Sequence, residues 1–212
     1  MMNGLYLVTD RGLCGKNNLR DVILQALQGG ATYVQLREKE VSTRFFVEEA
    51  QQIKTLMAPF KASLIINDRI DVALAVGADG VHIGQSDMPY PIARKLLGKQ
   101  AIIGLSVETW EDVKKAQALD VDYLGVSPIF ETPTKTDTKG SWGLEGLKKI
   151  KAYSCHPLVA IGGLNASNAA DAVRAGADCI AVVSAICSAP NPLNASRELK
   201  DIIQKALAYS IT

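Results

Sequence analysis

Short runs of β-branched and other apolar residues recur along the whole chain, at 5–9, 32–36, 63–66, 80–83, 101–105, 123–126, 158–161 and 179–183. Each has the length of a strand buried on both faces, and each is bounded by Gly, Asp, Asn or Pro. Between them the apolar positions repeat with helical spacing. The clearest helices are predicted over 21–27 and 43–57, with others over 70–76, 91–97, 110–119, 143–152, 166–175 and 192–208. A small phrase closes several helices and opens the next strand: Gly29-Gly30-Ala31-Thr32, Val76-Gly77-Ala78-Asp79 and Ala175-Gly176-Ala177-Asp178, with Leu119-Asp120-Val121-Asp122 as a weaker copy. It reads as an ordinary αβ connection with a residue suited to a left-handed helix cap.

Strict strand–helix alternation predicts a parallel sheet, and eight units predict a closed (β/α)8 TIM barrel. The 212 residues are consumed by these units, so one compact α/β domain over residues 1–212 is expected. A doubly wound open sheet would announce itself with a Gly-rich turn after the first strand. Thr9-Asp10-Arg11-Gly12 does not match G-x-G-x-x-G.

Composition narrows the function. With 23 Lys+Arg against 22 Asp+Glu and a net charge of +1, the chain lacks the positive excess that drives nucleic-acid binding. No polybasic block suggests a membrane surface, and the apolar runs are far short of the ~20 residues of a membrane-spanning helix. The first residues carry no signal-peptide pattern. Cys14, Cys155, Cys179 and Cys187 show no C-x-x-C spacing, which favours reduced structural thiols. A cytoplasmic protein acting on small molecules is expected, with monomer and homo-oligomer both open.

In such a barrel the active site lies at the C-terminal ends of the strands, and unusual polar residues collect there. After the second strand comes Gln35-Leu36-Arg37-Glu38-Lys39. Alternation puts Gln35, Arg37 and Lys39 on one side and Leu36 and Glu38 on the other. Two cations and an amide at a strand mouth suit a polyanion. Asn67-Asp68-Arg69 follows the third strand and Gln85-Ser86-Asp87 the fourth. Two carboxylates on neighbouring strand ends suit a hard cation such as Mg2+, although helix capping and a turn account for them equally well. Ser106 follows the fifth strand, with Thr109 nearer the next helix start. After the sixth comes the longest connection, residues 130–140, rich in hydroxyls, either a lid or a surface loop. Gly162-Gly163 after the seventh strand and Val183-Ser184 after the eighth suit a phosphate held by backbone N–H groups. His82 is expected to pack in the barrel, His156 to lie on the opposite face, and Trp110 and Trp142 to be packing residues. Two anion sites therefore face each other, which fits transfer from a diphosphate donor to a phosphorylated acceptor.

Together these residues resemble the thiamine phosphate synthase family, also called thiamine-phosphate pyrophosphorylase. The likeness runs from Tyr6-Leu7-Val8-Thr9-Asp10-Arg11 to Val182-Val183-Ser184-Ala185-Ile186. It is carried by Val34-Gln35-Leu36-Arg37-Glu38-Lys39, Ile66-Asn67-Asp68-Arg69, Gly80-Val81-His82-Ile83-Gly84-Gln85 with Asp87, Pro128-Ile129-Phe130-Glu131-Thr132 with Thr134-Lys135, and Ala160-Ile161-Gly162-Gly163. The resemblance implies a (β/α)8 barrel that joins 4-amino-5-hydroxymethyl-2-methylpyrimidine diphosphate to a (carboxy)thiazole ethyl phosphate, giving thiamine monophosphate and pyrophosphate. It implies that Gln35, Leu36, Arg37, Glu38, Lys39, Asn67, Ser106 and Lys135 hold the pyrimidine diphosphate, and that Arg37, Lys39, Ser106 and Lys135 are catalytic, with Arg37, Lys39 and Lys135 neutralising charge on the leaving group. It further implies one Mg2+ per subunit on Asp68 and Asp87, and Thr132, Pro133, Thr134, Gly163, Val183 and Ser184 around the thiazole phosphate. The chain departs from the family at Ser127, where Gly is usual. A thiazole tautomerase on the same barrel is similar but places a catalytic His about where Pro128 stands. Another phosphate-binding barrel of amino-acid or sugar metabolism is a second rival, and a non-catalytic sensor of thiazole or thiamine phosphates is a third, which the carboxylate and cation set disfavours.

Overall fold

The computed structural model describes residues 2–132 and 140–209. Eight parallel strands close into a barrel in chain order: β1 (Gly4–Val8), β2 (Ala31–Leu36), β3 (Ser63–Asn67), β4 (Gly80–Ile83), β5 (Ile102–Val107), β6 (Tyr123–Val126), β7 (Leu158–Ala160) and β8 (Cys179–Val182), the last pairing back onto β1. The helices are α1 (Leu19–Gln28), α2 (Thr43–Met57), α3 (Ile70–Val76), α4 (Tyr90–Leu97), α5 (Trp110–Ala116), α6 (Gly143–Tyr153), α7 (Ala169–Arg174), α8 (Ser184–Cys187) and α9 (Pro192–Tyr209).

The expected alternation is present, with differences at element ends that bear on the site. β3 and β5 run on to Asn67 and Val107, because Asn67 pairs with His82 and Ser106 with Gly125 in the neighbouring strands. Ser106 is therefore a strand residue. α7 begins at Ala169, later than the spacing predicts. Asn165 Oδ1 accepts from the Ser167 N–H, and Asn168 Oδ1 accepts from the Asn165 N–H; these local bonds hold the segment in a turn that competes with helix. A short α8 also separates β8 from the long closing helix α9.

Every strand presents one set of side chains to the helices and the other to the barrel interior. Leu5 and Leu7, Leu64 and Ile66, and Ile180 and Val182 belong to the core between sheet and helices, whereas Tyr6, Val8, Ile65, Tyr123, Val159, Cys179 and Ala181 fill the barrel. Both sets are apolar, so no hydrophobic–polar alternation marks the two faces in the sequence. Large interior rings need missing ones opposite. A Cβ on Gly104 would stand 2.0 Å from the Tyr123 ring, and one on Gly125 would stand 2.7 Å from His82 Cε1.

The repeated connection phrase does more than cap helices. The Asp79 N–H donates to the Leu64 carbonyl while Asp79 Oδ2 accepts from the Leu64 N–H at 2.7 Å. Asp122 clasps Ile103 in the same two-bond way, and Asp178 clasps Leu158. Thr32 replaces the carboxylate in the first copy and donates to the Asn3 and Leu5 carbonyls of the preceding segment. Each even-numbered strand thus ties down the start of the odd-numbered strand before it, at the end of the barrel away from the predicted site.

Candidate active site

A cavity of about 500 Å³ opens at the C-terminal ends of the strands. Its floor is made by Tyr6, Gln35, His82, Ser106, Tyr123 and Gly125; one wall carries Arg37, Lys39, Asn67, Asp68 and Asp87, and the opposite wall Gly162, Gly163, Leu164, Val183 and Ser184. Thr132 and Ser127 also line it.

The charged wall is built from the ends of β2, β3 and β4. Arg37 takes its position from the buried Thr9, whose Oγ1 accepts the Arg37 N–H at 2.9 Å, and its guanidinium lies 3.4 Å from Asp10 Oδ2. Asp68 sits just past β3 with φ 60°, a left-handed conformation rare outside glycine but open to Asp. Its N–H is tied to the His82 carbonyl at 2.8 Å, and Lys39 Nζ lies 2.5 Å from its Oδ2. Asp68 does not cap α3, which starts without a side-chain cap. Asp87 Oδ2 accepts from the Gly84 N–H at 2.7 Å, so the turn reading holds for it, yet its carboxylate still faces the cavity. Burial pushes the Asp87 carboxyl above the ordinary range and the adjacent Asp68 carboxylate pushes it further, against the Gly84 N–H and Lys39. Two carboxylates that repel each other in a half-buried wall, one already drawing in an ammonium, fit a divalent cation completed by water and phosphate oxygens. Asn67 Nδ2 is buried and has no hydrogen-bond partner among the described residues, a polar atom placed for a ligand.

The opposite wall is backbone. Gly162 and Gly163 have φ 102° and 68°, and a Cβ on either would press to 2.6 Å from Pro128 and 2.8 Å from Phe130. Only glycine fits this close stack. Asn168 Nδ2 secures the Gly163 carbonyl at 2.9 Å. Val183 leaves β8 and Ser184 opens α8, so both walls end in groups suited to anions.

Of the residues expected at the site, Gln35, Arg37, Lys39, Asn67, Asp68, Asp87, Ser106, Thr132, Gly163, Val183 and Ser184 come together around this cavity. Leu36 and Glu38 do not. Leu36 is wholly buried against the helices, and Glu38 accepts from Arg11 at 2.7 Å. Alternation along the strand turns both side chains away from the cavity. Pro133, Thr134 and Lys135 lie outside the described residues. His156, with Nε2 3.0 Å from the Ala116 carbonyl, and Trp142, packed against the helix-side core, do not line the cavity. Tyr6, Tyr123 and His82 do, although the sequence predicts for His82 only packing in the barrel and sets neither tyrosine apart from other strand residues. All four cysteines are free thiols, three of them buried.

Fold and site define a (β/α)8 barrel whose cavity sets a wall of cations and carboxylates, with Asp68 and Asp87 after β3 and β4, across from a glycine-lined wall over a polar floor. The thiamine monophosphate synthase family model matches residues 5–186. A thiamine-phosphate synthase of Albidiferax ferrireducens is 56% identical over 199 residues, covering 94% of this chain and 91% of its own. One from Leptospira biflexa is 52% identical over 204 residues, covering 94% and 97%. Among solved structures, thiamine phosphate pyrophosphorylase from Pyrococcus furiosus superposes with a TM-score of 0.88 at 40% identity, covering 96% of each chain. The chain belongs to the thiamine monophosphate synthase family and is a transferase.

Proposed function

We propose that this cavity couples 4-amino-5-hydroxymethyl-2-methylpyrimidine diphosphate to a (carboxy)thiazole ethyl phosphate, releasing pyrophosphate and forming thiamine monophosphate. Family membership supports the reaction. The observation that carries the division of labour is the pairing of a cation-and-carboxylate wall with a glycine-lined wall across one cavity.

On this reading Arg37 and Lys39 bind the diphosphate, and Lys39 exchanges its contact with Asp68 for a phosphate oxygen. Asp68 and Asp87 hold Mg2+, which when bound supplies charge neutralisation for the leaving pyrophosphate. Arg37, Lys39 and Lys135 stabilise charge on the same oxygens. Departure of pyrophosphate leaves a pyrimidine-stabilised carbocation at the methylene carbon. Gln35, Asn67 and Ser106 hold that ring at the floor, while Thr132, Pro133, Thr134, Gly163, Val183 and Ser184 hold the thiazole phosphate with its nitrogen facing the cation. Positioning supplies much of the acceleration, and no covalent enzyme nucleophile is required. A carboxylated acceptor would lose CO2 afterwards. One Mg2+ per subunit is expected, in a cytoplasmic enzyme with no nucleic-acid or membrane partner.

The test is an assay of the purified protein with both substrates and Mg2+. Thiamine phosphate should form, EDTA should abolish its formation, and added Mg2+ should restore it. Conversion of the thiazole phosphate alone, with nothing formed from the pair, would favour the tautomerase instead.

A further inference from the structure

Five side chains of the cavity floor form one continuous hydrogen-bonded chain across the barrel. Gln35 Nε2 donates to the Tyr6 hydroxyl at 2.9 Å, and the Tyr6 and Tyr123 hydroxyls lie 3.0 Å apart. The Tyr123 hydroxyl lies 2.9 Å from His82 Nδ1, and His82 Nε2 lies 2.8 Å from Ser106 Oγ.

The protons in this chain have a direction. An amide nitrogen donates and does not accept. The Tyr6 oxygen therefore accepts from Gln35; were it also to accept from Tyr123, its own proton would be left in the buried floor without a partner in this chain, so the order that pairs every buried donor sends that proton to Tyr123. The Tyr123 oxygen accepts that proton and passes its own to His82 Nδ1. Nδ1 is then the bare ring nitrogen, and Nε2 carries the hydrogen donated to Ser106 Oγ. The Ser106 proton has no place left within the chain and is turned toward the cavity that Ser106 lines.

We propose that this chain is a one-way relay. It fixes His82 as its Nε2–H tautomer and presents Ser106 to the ligand as a hydrogen-bond donor, with Tyr6, Tyr123 and His82 acting as positioning residues. Several features hold it in place. Tyr123 stacks on His82 with ring centroids 5.5 Å apart and 24° between planes, and Tyr6 meets Tyr123 edge-on at 6.1 Å. Gly104 and Gly125 leave the space that the Tyr123 and His82 rings fill. Burial raises both phenols far above their ordinary range, which keeps the two links neutral. A buried network in which each link polarises the next is stiffer than its separate bonds. The polarity rests on no substrate assignment. Only its use, a pyrimidine ring nitrogen accepting from Ser106, rests on the function proposed above.

The chain contains two histidines, His82 and His156, so ring-15N labelling of histidine followed by NMR reads the relay directly in the substrate-free protein. A His156→Gln variant assigns the signals. The expected result is His82 with Nε2 protonated and Nδ1 bare but hydrogen-bonded at neutral pH. In Tyr123→Phe the Nδ1 resonance should move to that of a nitrogen without a donor, and kcat should fall roughly 3- to 10-fold, the scale of one neutral hydrogen bond. A protonated Nδ1 in the wild-type protein, or a His82 spectrum unchanged by Tyr123→Phe, would overturn the relay. Because the readout needs no turnover, failure of the coupled assay and failure of the relay are separate outcomes.

Discussion

Asp68 combines a left-handed backbone, a contact with Lys39 and a position beside Asp87. Asp68→Asn is the informative change, since Asn accepts the left-handed conformation while losing the charge. We expect Mg2+-dependent turnover to fall roughly 100-fold or more, on the scale of metal stabilisation of a leaving group, with the melting temperature nearly unchanged. Mg2+ titration by calorimetry should show the lost affinity. Full activity in this variant would remove Asp68 from the metal site. These polar site residues were legible in the sequence because they interrupt apolar strand runs: Gln35, Arg37, Asn67 and Asp68 have no packing reason to stand there. Tyr6 and Tyr123 gave no such signal. An aromatic residue inside an apolar strand looks the same whether it faces the helices or the cavity floor, and only the closed barrel distinguishes the two. Leu36 and Glu38 show the converse, since they share a motif with cavity residues while alternation turns their side chains outward.

At the scale of elements, strands and helices followed from apolar spacing, but what the repeated phrase accomplishes did not. Its aspartates clasp a strand distant in sequence, and that pairing exists only once the barrel closes. Asp79→Ala and Asp178→Ala each strand a backbone N–H of the preceding strand. Each should cost about 1–2 kcal/mol in urea unfolding. Asp171→Ala, which breaks only an exposed pair with Arg174, should cost under about 0.5 kcal/mol. Equal effects would mean the clasps carry no special weight. α2 offers a pH-dependent counterpart. Burial acts to raise the Glu49 carboxyl, but the hydrogen bonds and charges of Arg20 and Arg11 outweigh it and hold the group below its ordinary range. A depressed carboxylate adds stability above its unfolded pKa and loses it as pH falls through the folded value. Glu49→Gln should therefore lower stability near neutrality by about 1–2 kcal/mol, and the gap to the wild-type protein should narrow on acidification. A gap that stays constant with pH would show that the ion pair is not its source.

For the whole molecule, near-neutral net charge argued against a nucleic-acid surface but concealed a sorted interior. Arg37 and Lys39 meet two carboxylates on one wall of a single cavity, and the total of +1 carries no trace of it. The barrel closes β8 onto β1, so we expect one domain over residues 1–212 to unfold in a single transition, with calorimetric and van't Hoff enthalpies in agreement. Two resolved transitions would contradict this. On the function proposed, the two walls hold two substrates for one transfer. The most direct test of that function is the product balance when the pyrimidine diphosphate and thiazole phosphate are supplied together with Mg2+. Thiamine phosphate and pyrophosphate should appear in equal amounts throughout the time course. Pyrophosphate released without matching thiamine phosphate would contradict it.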